Sequence, residues 1–249
     1  MHPSHSQMRS DLPLLLGDLC LYRWAFPSPD VGEEFAVATT QSPPQQAPQP
    51  TTPVPPAPIG DPAPLGLAGF AMTTFVLSVF NAGILPADLE PVVLPLALFY
   101  GGIAQFLAGM WEFRNNNTFG ALAFTSYGAF WLSFWGLLTF IEPQMAQSVS
   151  STAITTAVGL YLLGWTIFTA YMTVASTKVS GAVFGVFALL TATFAVLAIG
   201  DLSGGITALT RIGGYLGLAT AAVAWYTSFA GVTNKTFGRA AIPVWPAGK

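Results

Sequence analysis

The sequence predicts an all-α membrane protein, a six-transmembrane-helix bundle preceded by a disordered N-terminal tail. Two observations carry this. Only 8% of the 249 residues are charged and 53% are hydrophobic, against roughly 25% charged in a typical soluble domain. A water-facing domain needs a polar shell, and lipid removes that need. From residue 61 onward the chain also divides into six apolar stretches, each about 20 residues long, the length a helix needs to cross the hydrocarbon core.

The first sixty residues differ in kind. The run Leu12–Leu16 is short and interrupted by Asp11, Pro13, Asp18 and Arg23, so it reads neither as a signal peptide nor as a membrane span. Gln41–Pro58 reads QSPPQQAPQPTTPVPPAP. Such a composition cannot bury enough apolar area to offset the entropy of ordering, so residues 1–60 are expected to form a disordered, Pro-rich tail. His2, His5 and the single cysteine, Cys20, all lie in this tail. That excludes an internal disulfide framework and a structural zinc site, and no cofactor is expected. A net charge of -3 without a basic run argues against a nucleic-acid partner.

Residues 61–234 are expected to form the membrane domain, with spans at Pro62–Ala82, Pro91–Trp111, Phe119–Phe140, Thr152–Val174, Val179–Ile199 and Arg211–Thr233. The links ILPADLE, EFRNNNT, IEPQMAQS, ASTK and GDLSGGITALT hold the Asp, Asn, Pro and Gly that helix ends and turns require. Residues 235–249 form a short C-terminal tail. An even number of spans puts both termini on one side. That side holds Arg114, Lys178, Lys235, Arg239 and Lys249, and the other holds Arg211 beside Asp88, Glu90, Glu142 and Asp201. Cationic residues favour the cytoplasm, so both termini are expected to be cytoplasmic.

Several helical faces stand out. Gly213, Gly217, Thr220 and Ala224 in the last span, and Gly101, Gln105 and Ala108 in the second, are stripes of small residues that let backbones approach. Both read either as packing or as part of a substrate path, and the amide of Gln105 makes it a candidate pathway residue together with Thr74, Ser78 and Asn81 of the first span. In the first span Phe70, Thr74, Ser78 and Asn81 share one face. Either the stripe faces the interior or a water-filled path, because lipid would leave its donors unpaired, or Thr and Ser bond back to their own helix carbonyls. The third span carries Phe124, Tyr127, Trp131 and Trp135 on one face, and the Tyr127 hydroxyl needs a partner well inside the membrane.

No ionisable residue lies clearly mid-membrane. Glu112, Arg114, Lys178 and Arg211 all fall at span ends, whereas tightly ion-coupled carriers bury such groups. No phosphate-cradling GxxxxGK[ST] loop is present. The membrane domain has no His, no Cys and no acid pair suited to catalysis, so no enzyme is expected. A permeant anion must then be held by hydroxyls, amides or backbone N–H groups, which suits a channel or a low-affinity carrier. The alternatives are a neutral-solute channel for ammonia or water and a membrane sensor without flux.

The opening of the first span, Asp61-Pro62-Ala63-Pro64-Leu65-Gly66-Leu67, is a capped helix start. Asp61 suits the cap, Pro62 the first helical position, and Gly66 a close helix approach. A helix start also presents N–H groups that attract a carboxylate. This segment, with GFAMTT, FYGGIAQFLAG, NTFGALAFTSYGAFW, VLAIGD and FGRAAIP following in order, resembles the acetate uptake transporter family, the group containing the bacterial succinate–acetate permeases. The resemblance runs from Asp61 onward, and Asp61 stands where the family usually has Asn, which sets a negative charge at the mouth. It implies transport of acetate and similar small monocarboxylates, succinate among them, by a channel or proton-linked carrier. It also implies a plasma-membrane, multi-pass homo-oligomer, trimer or hexamer, each protomer holding its own path. The family's hydrophobic constriction maps by resemblance to Phe70, Tyr127 and Leu190, and a substrate-size position to Ala224.

Overall fold

The structure, a computed structural model, describes residues 59–248. The expected disordered tail lies outside the described residues apart from its last two positions. Six helices are long and apolar enough to cross a membrane: α1 (Ala63–Asn81), α2 (Ala87–Arg114), α3 (Thr118–Met145), α4 (Ser151–Ser176), α5 (Gly181–Leu202) and α6 (Thr207–Phe237). Among the described residues the only β-structure is one isolated bridge, Ser180 to Pro246. The number of spans and their order match the hydropathy reading. α2, α3, α4 and α6 overrun the expected spans at both ends by one to five residues, α5 is shifted toward its C-terminal end, and α1 falls one residue short at each end. The 31 residues of α6 rise about 46 Å at 1.5 Å each, well beyond the bilayer core of about 30 Å.

Local chemistry explains the ends. Asn117, Ser150 and Ser180 each accept a hydrogen bond from the backbone N–H three residues on, which caps α3, α4 and α5. The α5–α6 link turns on Gly204 and Gly205, at φ 88° and 86°, a region that L side chains rarely adopt. α6 ends at Gly238 in the left-handed conformation.

α1 packs along α6, α4 along α5, α5 along α6, and α2 along α3. The small-residue stripes are these seams. A Cβ on Gly214 would strike the Ala82 backbone, and one on Gly217 would strike the Ser78 hydroxyl. α2 is not a regular helix. It opens as a 3-10 turn over Ala87–Val92 around Pro91 and carries a π segment at Phe99–Ala104. Gly101 sits in that π segment against Thr73 and Trp131, where a Cβ would come within 2.6 Å of the Thr73 hydroxyl. A second π segment, Leu137–Ile141, lies near the end of α3. α4 is the least buried span and touches α3 only lightly.

The C-terminal residues fold back over the ends of α5 and α6. Asn234 clamps Ile242 by both backbone groups, at 2.8 Å each. Tyr226 donates its hydroxyl to the Pro243 carbonyl at 2.6 Å. The carbonyls of Trp245 and Val244 accept from Gly181 and Ala182, so the tail supplies partners for N–H groups that open α5.

Candidate functional site

Three helices bring the expected constriction together. Phe70 of α1, Tyr127 of α3 and Leu190 of α5 are all buried and line one cavity of about 20 Å³, room for about a single water. The Phe70 and Tyr127 rings lie 5.7 Å apart and those of Tyr127 and Phe187 5.9 Å. Leu67, Phe124 and Val186 complete the apolar wall. This is a closed collar. Gln105, from the turn after the π segment of α2, is the polar member of the lining. It is 1% exposed and its Oε1 has no partner. Such a group costs about 1–3 kcal/mol unless a visiting molecule satisfies it.

The other residues of the expected path divide. Thr74 does not bond back to its helix: its Oγ1 is buried and without a partner, whereas its neighbour Thr73 donates to the Gly69 carbonyl at 2.9 Å. Ser78 is buried against Gly217 in the α1–α6 seam. Asn81 lines a wider vestibule of about 240 Å³, together with Glu90, Glu142, Asp201 and Thr210, and with Phe130, Phe134 and Phe194 at its walls. Asn81 and Thr210 also line a neighbouring cavity of about 520 Å³ that contains Arg211. The three acids of this vestibule, Glu90, Glu142 and Asp201, come from three different helices and are among the residues the charge distribution assigns to the outer side. Ala224 is fully buried in the core but does not line the collar cavity.

The aromatic face of α3 is placed differently from the expectation. Tyr127 reaches the collar, but its hydroxyl is already bonded, donating to Thr169 of α4 at 2.9 Å. Trp131 turns toward Gly101 of α2, and its indole N–H is buried without a partner. Phe130 lines the vestibule, with its ring 5.3 Å from Phe194 and 5.1 Å from Trp165. The spacing Tyr127, Phe130, Phe134 is itself a helical i, i+3, i+7 stripe, so the signal was present but overlapped the stripe that was read.

The helix start also departs from its anion-binding reading. Asp61 Oδ1 accepts from Ala63 N–H at 3.0 Å. Pro62 and Pro64 have no N–H, and Leu65 and Gly66 donate to the Pro62 carbonyl. No donor of residues 62–66 is left for a carboxylate. The motif docks instead. The Pro64 carbonyl accepts from Ser228 of α6 at 2.6 Å, and Gly66 lies where a Cβ would come within 2.6 Å of the Phe124 ring. Glu112, read from sequence as a span-end group, is fully buried. Asn117 donates to its Oε2 at 3.0 Å, which ties α2 to α3.

Residues 44–247 match the family described as GPR1/FUN34/yaaH, a match that starts inside the Pro-rich stretch, ahead of Asp61. The chain is 40% identical to the Succinate-acetate/proton symporter SatP of Escherichia coli over 75% of its own length and 95% of that protein's. It is 42% identical to the Ammonia transport outward protein 2 of Saccharomyces cerevisiae over 72% of its own length. It spans 65% of the length of that yeast protein. Among solved structures, that of the bacterial acetate channel SatP superposes with a TM-score of 0.68 at 38% identity, covering 75% of this chain and 99% of the other.

Proposed function

The chain belongs to the GPR1/FUN34/yaaH family, and from that premise we propose that it moves acetate and similar small monocarboxylates, succinate included, through its six-helix bundle. The observation that carries this reading is the collar: an apolar, aromatic constriction with the unpartnered amide of Gln105 in its wall. Apolar constrictions dewet and oppose a bare ion, while a small acid with its proton passes more easily. The polar groups along the path, Asn81, Thr74 and Gln105, are neutral, so they hold a carboxyl group weakly and release it. The acids Glu90, Glu142 and Asp201 in the vestibule disfavour an approaching anion, which supports proton-linked passage over a simple anion channel.

The protein works in the plasma membrane as a multi-pass homo-oligomer, trimer or hexamer, with both termini in the cytoplasm and the acidic vestibule outside. Exposed apolar side chains along α4, among them Leu160, Ile167 and Val174, suit lipid or a neighbouring protomer. Purified protein in liposomes should take up labelled acetate, and uptake should be competed by succinate and by lactate. Liposomes with correctly inserted protein and no acetate flux would refute the proposal. A second reading, a channel for ammonia, is favoured by the name of the yeast relative and by a collar with room for about one water-sized molecule. Ammonia flux without acetate flux in the same liposomes selects it.

A further inference from the structure

We propose that Thr169 is a positioning residue, one that fixes the Tyr127 ring in the collar and through it sets which acids pass. The inference rests on the transport reading and deepens it. Thr169 lies on α4, outside the cavity, and is fully buried. Its hydroxyl has one proton, which it donates to the Trp165 carbonyl of its own helix at 2.7 Å. It can therefore only accept from Tyr127, and the Tyr127 O–H donates at 2.9 Å.

The geometry makes this bond directional. The Tyr127 ring stands in the collar wall against Phe70 and Phe187, while its hydroxyl points away toward α4. Phe168 meets the ring edge-on at 5.4 Å, and Trp165 lies 6.1 Å away. These contacts confine the ring but do not set its tilt, because aromatic pairs tolerate a range of angles. The hydrogen bond does, since it fixes the hydroxyl oxygen against α4. The backbones of α4 and α3 approach only lightly, and among the described residues the other side-chain hydrogen bonds between them are those of Tyr161, to Ser133 and the Phe130 carbonyl. Loss of the acceptor on Thr169 leaves a buried hydroxyl without a partner, and its oxygen must shift to come within reach of another acceptor. The ring moves with it, and the collar changes shape.

The test is a double-mutant cycle read as the ratio of lactate to acetate uptake in liposomes. Thr169→Val keeps the shape and removes the acceptor, and should change the ratio at least about threefold, within the range of coupling between contacting residues. Thr169→Ser keeps the hydroxyl and should restore the wild-type ratio. In a Tyr127→Phe background no hydroxyl is left to orphan, so Thr169→Val should add nothing. If Thr169→Val does not reach the membrane, Thr169→Cys, with its weak sulfur acceptor, should give a ratio between those of wild type and Tyr127→Phe. A wild-type ratio in Thr169→Val, or in Thr169→Cys where that variant stands in, overturns the proposal. So does a Val effect that persists in Tyr127→Phe, because Thr169 would then act by some route other than the ring. Wild-type liposomes without acetate flux overturn the transport reading and this inference together. Wild-type flux with an unmoved ratio overturns the role of Thr169 alone.

Discussion

Replacing Leu190 with Ala removes three carbons from the collar wall. Leu190 is 3% exposed and lines a cavity of about 20 Å³, so the space freed is large beside the space present. Lactate exceeds acetate by one carbon and one hydroxyl. A single methylene of fit shifts discrimination by ~1–3 kcal/mol, about 10- to 200-fold in rate. The lactate-to-acetate ratio should therefore rise by about tenfold or more, chiefly through a faster lactate rate. The same substitution creates a cavity in the bundle and costs ~2–5 kcal/mol of stability in a typical core. The assay must therefore normalise uptake of each labelled acid to correctly inserted protein, and size-exclusion chromatography must show the wild-type assembly. An inserted, assembled variant whose ratio stays within about twofold of wild type, far below the effect of one methylene, would refute the collar as the selective element.

Gln105→Leu should lower acetate flux about tenfold at equal membrane level, because one lost hydrogen bond to a carboxyl group is worth ~1.5 kcal/mol; unchanged flux would remove the amide from the path. Acetate uptake should rise as external pH falls toward ~4, the reference range of a carboxyl, because the permeant acid loses its charge there; uptake independent of pH would argue for passage of the anion. Neutralising Glu90, Glu142 and Asp201 together should raise uptake at pH 7, more at low salt than at high, and a fall would show that the acids recruit substrate. Asn234→Ala should lower thermal stability by ~1–3 kcal/mol, because the Ile242 N–H and C=O both lose their partner; an unchanged melting temperature would make the C-terminal fold-back passive. A cysteine placed in the link around Asp88 should label from outside intact cells and one after Lys235 should not, Cys20 having been replaced first. The reverse pattern would invert the topology.

The six spans were legible because the bilayer imposes a length and a composition that local sequence must meet. Their irregularities were not. The π segment of α2 depends on Gly101 meeting Thr73 and Trp131 from two other helices, and no helical period encodes such a contact. The C-terminal fold-back pairs residues 244 and 245 with the start of α5 through main-chain atoms, which leave no trace in side-chain pattern. In the collar, Phe70 and Tyr127 stood on faces visible from spacing, whereas Leu190 rested on family resemblance and reads by itself as packing. Glu112 shows the limit of position along a helix. It lies in the last turn of α2, yet Gly120 and Asn117 of the next helix close over it, so a group at a span end is as buried as any in the bundle.

At the opening motif the structure favours the plain capped helix start over the anion-binding alternative. Two prolines, a capping acid and helix-internal bonding consume every donor of residues 62–66, so the helix dipole there has no free N–H through which to hold an anion. What those residues do is dock: Pro64 receives Ser228 of α6, Gly66 receives Phe124, and Leu67 reaches the collar cavity. The acid at the cap bears on the same point. An Asn carbonyl at residue 61 would accept from Ala63 N–H as the Asp61 carboxylate does, since the two are equivalent caps. The exchange changes the charge at the mouth and leaves the docking intact. Under the proposed transport reading, recognition of a carboxyl group is then assigned to neutral groups, Gln105 in the collar lining and the nearby core residue Thr74, whose buried oxygens lack partners.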